Sequence, residues 1–345
     1  IALIGPLADT RSNMSGTWSV AATPDRYSSL RESMEKALNG KATLLYAQGC
    51  NVVYDEQEQK DGELGKTIAR GDDAQMEAEA LEVARQADVI VCAMGETADM
   101  SGECASRTDL RMPDAQRHLL AQLARTGKPI VLLNFSGRPT VLTWEQEHLP
   151  AIMNVWFGGS EAADAICDVI FGDKVPCGKL TASMPKTTGQ EPLYYNHQNT
   201  GRPVPDDNPR FAKFASNYLD VRNGALYPFG YGLSYTTFEY GPLQISADHT
   251  ATVRVTNTGS RAADEIVQLY IRDKVASISR PVKELKAFRR IHLAAGESQD
   301  VSFQITPDML KFYNADLQYV LEPGEFDIMV GPNSRDTKNG TISVK

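Results

Sequence analysis

Short apolar runs alternating with longer amphipathic ones set the pattern of the first half of the chain. The apolar runs are IALIG (1–5), TLLYA (43–47), VIVCAMG (89–95), PIVLLNF (129–135) and AIMNVW (151–156). They are too short for most helices and rich in branched residues, as strands covered on both faces must be. Between them the spacing predicts helices over 72–87, 113–126 and 160–171. In the first, apolar or small residues recur at Met76, Ala80, Leu81, Val83, Ala84 and Ala87. In the second, Pro113 stands at a first-turn position and Gly127 follows as a stop. Ser160 is expected to cap the third. Strand–helix alternation predicts an α/β domain over 1–190, a mostly parallel sheet flanked by helices.

From 191 to 237 the pattern weakens. Pro192, Pro203, Pro205, Pro209 and Pro228 interrupt it, which predicts a long ordered linker wrapping a surface. From 238 to 345 the helical period is gone. ATVRVTN (251–257), EIVQLYIRD (265–273), KELKAFRRIHL (283–293), SQDVSFQI (298–305) and GEFDIMVG (324–331) read as strands. Turn residues part them, among them N-T-G at 257–259 and A-G-E at 295–297. This predicts an all-β, immunoglobulin-like sandwich.

Composition narrows the function. The 345 residues are 42% hydrophobic and 23% charged, with a net charge of −9, an ordinary globular balance without the basic surface that nucleic acid or an anionic membrane requires. No apolar stretch approaches the roughly 20 residues of a membrane span. No signal peptide is visible. The chain opens inside what reads as a buried strand, so either a domain begins there or something upstream is missing. Five cysteines, Cys50, Cys92, Cys104, Cys167 and Cys177, form no C-x-x-C pair. Cys92 and Cys167 are expected in the core, while Cys104 adjoins an acidic loop. No metal-ligand spacing, dinucleotide fingerprint, P-loop or G-x-S-x-G elbow is present, so neither a cofactor nor a metal is expected.

The segment 95–109, GETADMSGECASRTD, holds Glu96, Asp99, Glu103, Asp109 and Arg107. It follows a predicted strand, where ligands meet open α/β sheets. It reads either as a solvated acidic loop or as one presenting a general acid, the latter requiring partial burial or a neighbouring carboxylate. A glycosidase needs a second, facing carboxyl group, and no other segment offers a comparable one. Arg138, in the Ser136-Gly137-Arg138-Pro139 turn, either reaches a ligand or makes an ion pair. Trp18 either packs or stacks on a sugar ring. His197 is the lone histidine of the linker.

Taken in order, IALIGPLAD and GTW (16–18), the SGE and SRTDLRMP stretches within 89–113, NFSGRPTVL (134–142), the run 156–185 and LYPFGYGLSYTTFEY (226–240) resemble family 3 glycoside hydrolases. The likeness spans essentially the whole chain and is nearest the periplasmic β-glucosidases of Gram-negative bacteria. It implies the C-terminal portion of such an enzyme: an α/β sandwich domain followed by a fibronectin-III-like domain. The (β/α)₈ barrel that carries the nucleophilic Asp is absent from the sequence and becomes the implied partner. The resemblance implies Glu103 as the acid/base, with Glu96 as rival. It implies Trp18 and Arg107 as substrate-binding positions, with Arg107 and Asp109 as a loop-ordering pair. The activity implied is retaining, exo-acting hydrolysis of terminal β-linked glucose or xylose, in the periplasm or secreted. A non-catalytic carbohydrate-binding or assembly module is the alternative, and phosphorylase or N-acetylhexosaminidase activity a third. A homodimer stays open.

Overall fold

The computed structural model describes residues 1–62, 67–204 and 213–345. The chain forms two compact units: Ile1–Lys174 with Thr187–Gly189, and Val175–Lys186 with Gln190–Lys345.

The first unit is an α/β layer structure. Its strands are β1 (Ala2–Ile4), β2 (Leu45–Ala47), β3 (Ile90–Gly95), β4 (Ile130–Phe135) and β5 (Ala151–Asn154), all parallel, in the order β2-β1-β3-β4-β5. Its helices are α1 (Leu30–Leu38), α2 (Glu56–Asp61), α3 (Asp73–Gln86), α4 (Asp114–Ala124), α5 (Thr143–His148) and α6 (Ala162–Ile170). Alternate strand residues enter two cores. Ile4, Ile90, Cys92 and Leu132 meet Ala80, Ala84, Leu119 and Leu123 of α3 and α4. Leu3, Val91, Ala93 and Leu133 meet Leu30, Met34, Ile166 and Cys167 of α1 and α6. Strands buried on both faces explain why the sequence shows continuous apolar runs rather than alternation.

The five strands and three helices expected from the pattern are present. Three helices were not expected. The signal for α1 was legible: Ser29 and Glu32 form a capping box, Glu32 N donating to Ser29 Oγ at 3.3 Å and Ser29 N to Glu32 Oε2 at 2.8 Å. Ser160 does not cap α6. Glu161 occupies the cap position, without a side-chain hydrogen bond.

The second unit packs two antiparallel sheets around one core. β10 (Glu284–Leu293), β9 (Ala263–Asp273), β14 (Gly324–Gly331) and β15 (Lys338–Val344) form one. β11 (Ser298–Gln304), β8 (Thr250–Asn257) and β6 (Phe238–Tyr240) form the other, with β7 (Gln244–Ile245) on β8 and the short pair β12 (Phe312–Tyr313) and β13 (Tyr319–Val320) apart. Val253, Val267, Leu269, Phe303, Phe326 and Ile328 lie in the core between them. N-T-G and A-G-E are the expected turns, Gly296 taking φ 77°.

The compact units part at Lys174, where the sequence pattern places the change near residue 190. The reason is backbone pairing. Leu180 N donates to Tyr231 O and Leu226 N to Met184 O, each at 2.8 Å, which draws 175–186 onto the second unit. The described part of 191–237 also folds onto that unit, with Tyr195 stacked on Phe229 at 4.2 Å and Val282 N donating to His197 O at 2.9 Å. Residues 205–212 of the expected linker, with Pro205 and Pro209, lie outside the described residues.

Candidate active site

Because the first unit's strands are parallel, the loops after β1, β3 and β4 leave from one edge of the sheet. β1 runs on to β2 on one side and β3 lies on the other, so the loops after β1 and β3 flank the point where strand order reverses. Open α/β sheets bind ligands at such a point.

The exit of β3 is held from below. Gln116 of α4 is fully buried, accepts from Gly95 N at 2.8 Å and donates through Nε2 to Gly95 O at 2.9 Å and Val52 O at 3.0 Å. Gly95 has φ 129°, and a Cβ there would come within 2.0 Å of Phe135 O, so no other residue fits.

Glu96 follows immediately and is 1% exposed. Its backbone N–H donates to Phe135 O at 2.8 Å. Its carboxylate accepts from Ser136 Oγ at 3.0 Å and Arg138 Nε at 3.2 Å, and Arg107 Nη1 stands 3.5 Å away. Arg138 faces two ways. Its Nη2 donates to Ala105 O at 2.6 Å and also to Met100 O. Those carbonyls bracket Glu103. A guanidinium, with five donors in a fixed fork, can pair with a carboxylate and hold carbonyls at once. Arg107 Nε donates to Asp109 O at 3.2 Å. Asp109 does not pair with the Arg107 side chain. Its carboxylate takes Arg111 Nε at 3.0 Å and Nη2 at 2.6 Å, and that hydrogen bonding holds it down to about 2. The expected charged pair is therefore two separate contacts, both ordering the loop.

The loop after β1 is stitched to the acidic loop. Asn13, fully buried, accepts from Ala98 N at 2.8 Å through Oδ1, and Thr17 Oγ1 donates to Ala98 O. Gly102, at φ 101°, lies close to this loop: a Cβ there would sit 2.5 Å from Thr17 Cγ2 and 3.5 Å from Trp18 Cε2. Trp18 thus flanks the tip of the acidic loop. It is 71% exposed and not packed.

Glu103 is at that tip. Its side chain is exposed and makes no hydrogen bond or ion pair with any described residue. The partial burial expected of a general acid is absent within the first unit, because the backbone turns outward through Gly102 and through Cys104 at φ 60°. The structure therefore brings Trp18 and Glu103 to one place, sets Glu96, Arg107 and Arg138 together beneath it, and leaves His197 in the second unit, its Nδ1 at 2.8 Å from Gln198 O. Sequence reasoning missed Gln116 and the role of Asn13. A polar residue on the apolar face of α4 was the available sign of the first, and nothing marked the second.

Residues 1–235 match the glycosyl hydrolase family 3 C-terminal domain and residues 265–334 the fibronectin type III-like domain. The chain is 42% identical to a periplasmic β-glucosidase of Salmonella typhimurium and 36% identical to a β-xylosidase of Formosa agariphila, in each case over all of this chain and 46% of the relative. A β-glucosidase of Listeria innocua, solved in complex with isofagomine, superposes with a TM-score of 0.83 at 34% identity, covering 99% of this chain and 46% of that one. The chain thus spans about half the length of the relatives it matches. With both domain matches in sequence order and the whole chain covered, it belongs to glycosyl hydrolase family 3, as the C-terminal portion.

Proposed function

We propose that this chain supplies the acid/base loop of a retaining, exo-acting β-glucosidase that removes terminal β-linked glucose or xylose. The observation that carries the reading is the exposed Glu103 on a loop whose two flanks are held by Arg138, with the Trp18 ring beside it. A proton donor that must reach into a neighbouring pocket needs a free carboxyl on a fixed backbone. Glu96 meets the second need and not the first, since its carboxylate is spent on Ser136 and Arg138.

The partner in this reading is a (β/α)₈ barrel in the part of the relatives that this chain does not span. An Asp there attacks the anomeric carbon. Glu103 gives its proton to the departing glycosidic oxygen, leaving a covalent glycosyl-enzyme. As carboxylate it then takes a proton from the water that hydrolyses that bond. Retention places the two carboxyl groups about 5 Å apart. The facing domain and bound sugar supply the burial that the isolated loop lacks. Trp18 offers its flat face to the leaving-group sugar. Names of relatives support β-glucosidic or β-xylosidic substrates and a periplasmic or secreted location. No helix among the described residues is long and apolar enough to cross a membrane.

Comparing the complete polypeptide with these 345 residues on an aryl β-glucoside tests the reading. The complete protein is expected to hydrolyse it with retention and the shorter chain not at all. Equal turnover by the shorter chain would place the nucleophile here and contradict the assignment. Saccharide binding without turnover by the complete protein would favour the non-catalytic module.

A further inference from the structure

The second unit carries a groove that the catalytic reading does not use. The sheet β10-β9-β14-β15 turns Leu269, Ile271, Ile328 and Val330 into the core. By alternation its other face bears Tyr270 and Arg272 on β9, Asp327 on β14 and Thr341 on β15. The register sets Arg272 opposite Asp327 and Asp327 opposite Thr341, one polar row across three strands. One end of this face is covered: Tyr195 meets Tyr270 edge-on at 5.9 Å, and Gln268 Nε2 donates to Gly230 O at 3.0 Å. The other end opens into a groove of about 1070 Å³, lined by the polar row and by Tyr194 and Tyr218. That is slightly above the range of small-molecule sites, roughly 300–1,000 Å³, as suits an extended ligand.

The lining has a definite chemistry. Tyr194 is 63% exposed and Tyr218 39%, and both rings line the same groove. Asp327 Oδ1 accepts from Thr341 Oγ1 at 3.2 Å, and the Arg272 side chain makes no hydrogen bond or ion pair with any described residue. Lys283 and Arg335 also line the groove, but each donates to a backbone carbonyl, Ser334 O at 2.6 Å and Ala225 O at 3.3 Å. What remains to a ligand is aromatic faces beside the Arg272 guanidinium and the Asp327 carboxylate, which are register neighbours but do not pair with each other. Flat rings suit the C–H face of a pyranose, and neighbouring donors and acceptors suit vicinal hydroxyls.

We infer that this groove binds a neutral saccharide chain, holding a polymeric substrate by a contact separate from the hydrolytic loop. The inference stands on the second unit alone and survives or fails independently of Glu103.

The test is calorimetric titration of the 345-residue chain with cellotetraose and xylotetraose. Saturable binding is expected for at least one of them, with Kd on the order of 1 mM or tighter. Tyr194→Ala and Arg272→Ala are each expected to weaken it about tenfold. Tyr313→Ala, an exposed ring of the same unit outside the groove, leaves it unchanged. Tyr194 is largely exposed, so its loss should leave the melting temperature near that of the unmodified chain, and measuring that temperature separates a binding defect from unfolding. No saturable binding by the unmodified chain overturns the inference. So does binding that Trp18→Ala abolishes and Tyr194→Ala spares. Binding confined to an acidic oligogalacturonate and lost with added salt, or self-association broken by Tyr194→Ala without saccharide binding, would give the groove another occupant and equally overturn it.

Discussion

The base and the tip of the acidic loop put the same side chain to opposite uses. Glu96, at the base, is buried and fastened to Ser136 and Arg138. Glu103, seven residues on, is exposed and holds nothing. A carboxylate already satisfied by a guanidinium is a poor proton donor and a good anchor. A free one on a fixed backbone anchors nothing and is available to a group brought up to it. The two are coupled, because Arg138 spends one side of its fork on Glu96 and the other on the carbonyls around Glu103. Rigidity at the base is what gives the tip a defined position.

Removing one carboxylate at a time separates the two uses. Glu103→Gln in the complete polypeptide should lower kcat on a poor-leaving aryl glucoside by about 10²–10⁴-fold, with denaturant stability within about 0.5 kcal/mol of the original. Glu96→Ala or Arg138→Ala should instead cost about 3–5 kcal/mol of stability, read by urea unfolding, since each leaves a buried charge uncompensated. Arg138→Lys should recover little, because one ammonium cannot serve Glu96 and two carbonyls together.

A smaller effect is expected at Gly102, beside the tip. Gly102→Ala meets both φ 101° and a 2.5 Å approach to Thr17, and should cost about 1–3 kcal/mol while displacing Trp18. Glu145 of α5 provides the contrast to Glu96. It is 3% exposed with no ion pair among the described residues, and burial raises its pKa. A raised carboxyl stabilises only below its unfolded pKa, and that contribution is lost as pH rises through the folded value. Glu145→Gln should therefore raise stability at neutral pH and change nothing in acid, where Glu96→Gln destabilises at neutral pH.

The smallest effect belongs to Asp109. Its lowered pKa, about 2, means a contribution present above the unfolded value of 3.8 and lost as pH falls through the folded one. The pair with Arg111 is half-exposed. Asp109→Asn should thus cost no more than about 1 kcal/mol at neutral pH, and the difference should vanish once the pH is below about 2.

Much of this architecture was legible in the chain. The runs at 89–95 and 129–135 mark strands buried on both faces, and the second half's short strands parted by turn residues mark the sandwich. The change of unit at Lys174 was not legible, because 175–186 is fixed by pairing with 226–231 across the chain. The acidic loop was conspicuous by composition. Which of its carboxyl groups is free depends on Arg138, forty-two residues beyond Glu96 in sequence, and local pattern carries no such contact. The same holds for Gln116 and Asn13, short polar side chains that stitch loops together from helix and turn positions.

Azide rescue of the complete polypeptide decides which of the two carboxyl groups serves as the acid/base. With an aryl glucoside bearing a good leaving group, Glu103→Gln should be slow in buffer and recover with added azide, yielding the β-glycosyl azide. Glu96→Gln should show no such recovery. Rescue at Glu96→Gln and none at Glu103→Gln would contradict the account and transfer the acid/base role to the buried carboxylate.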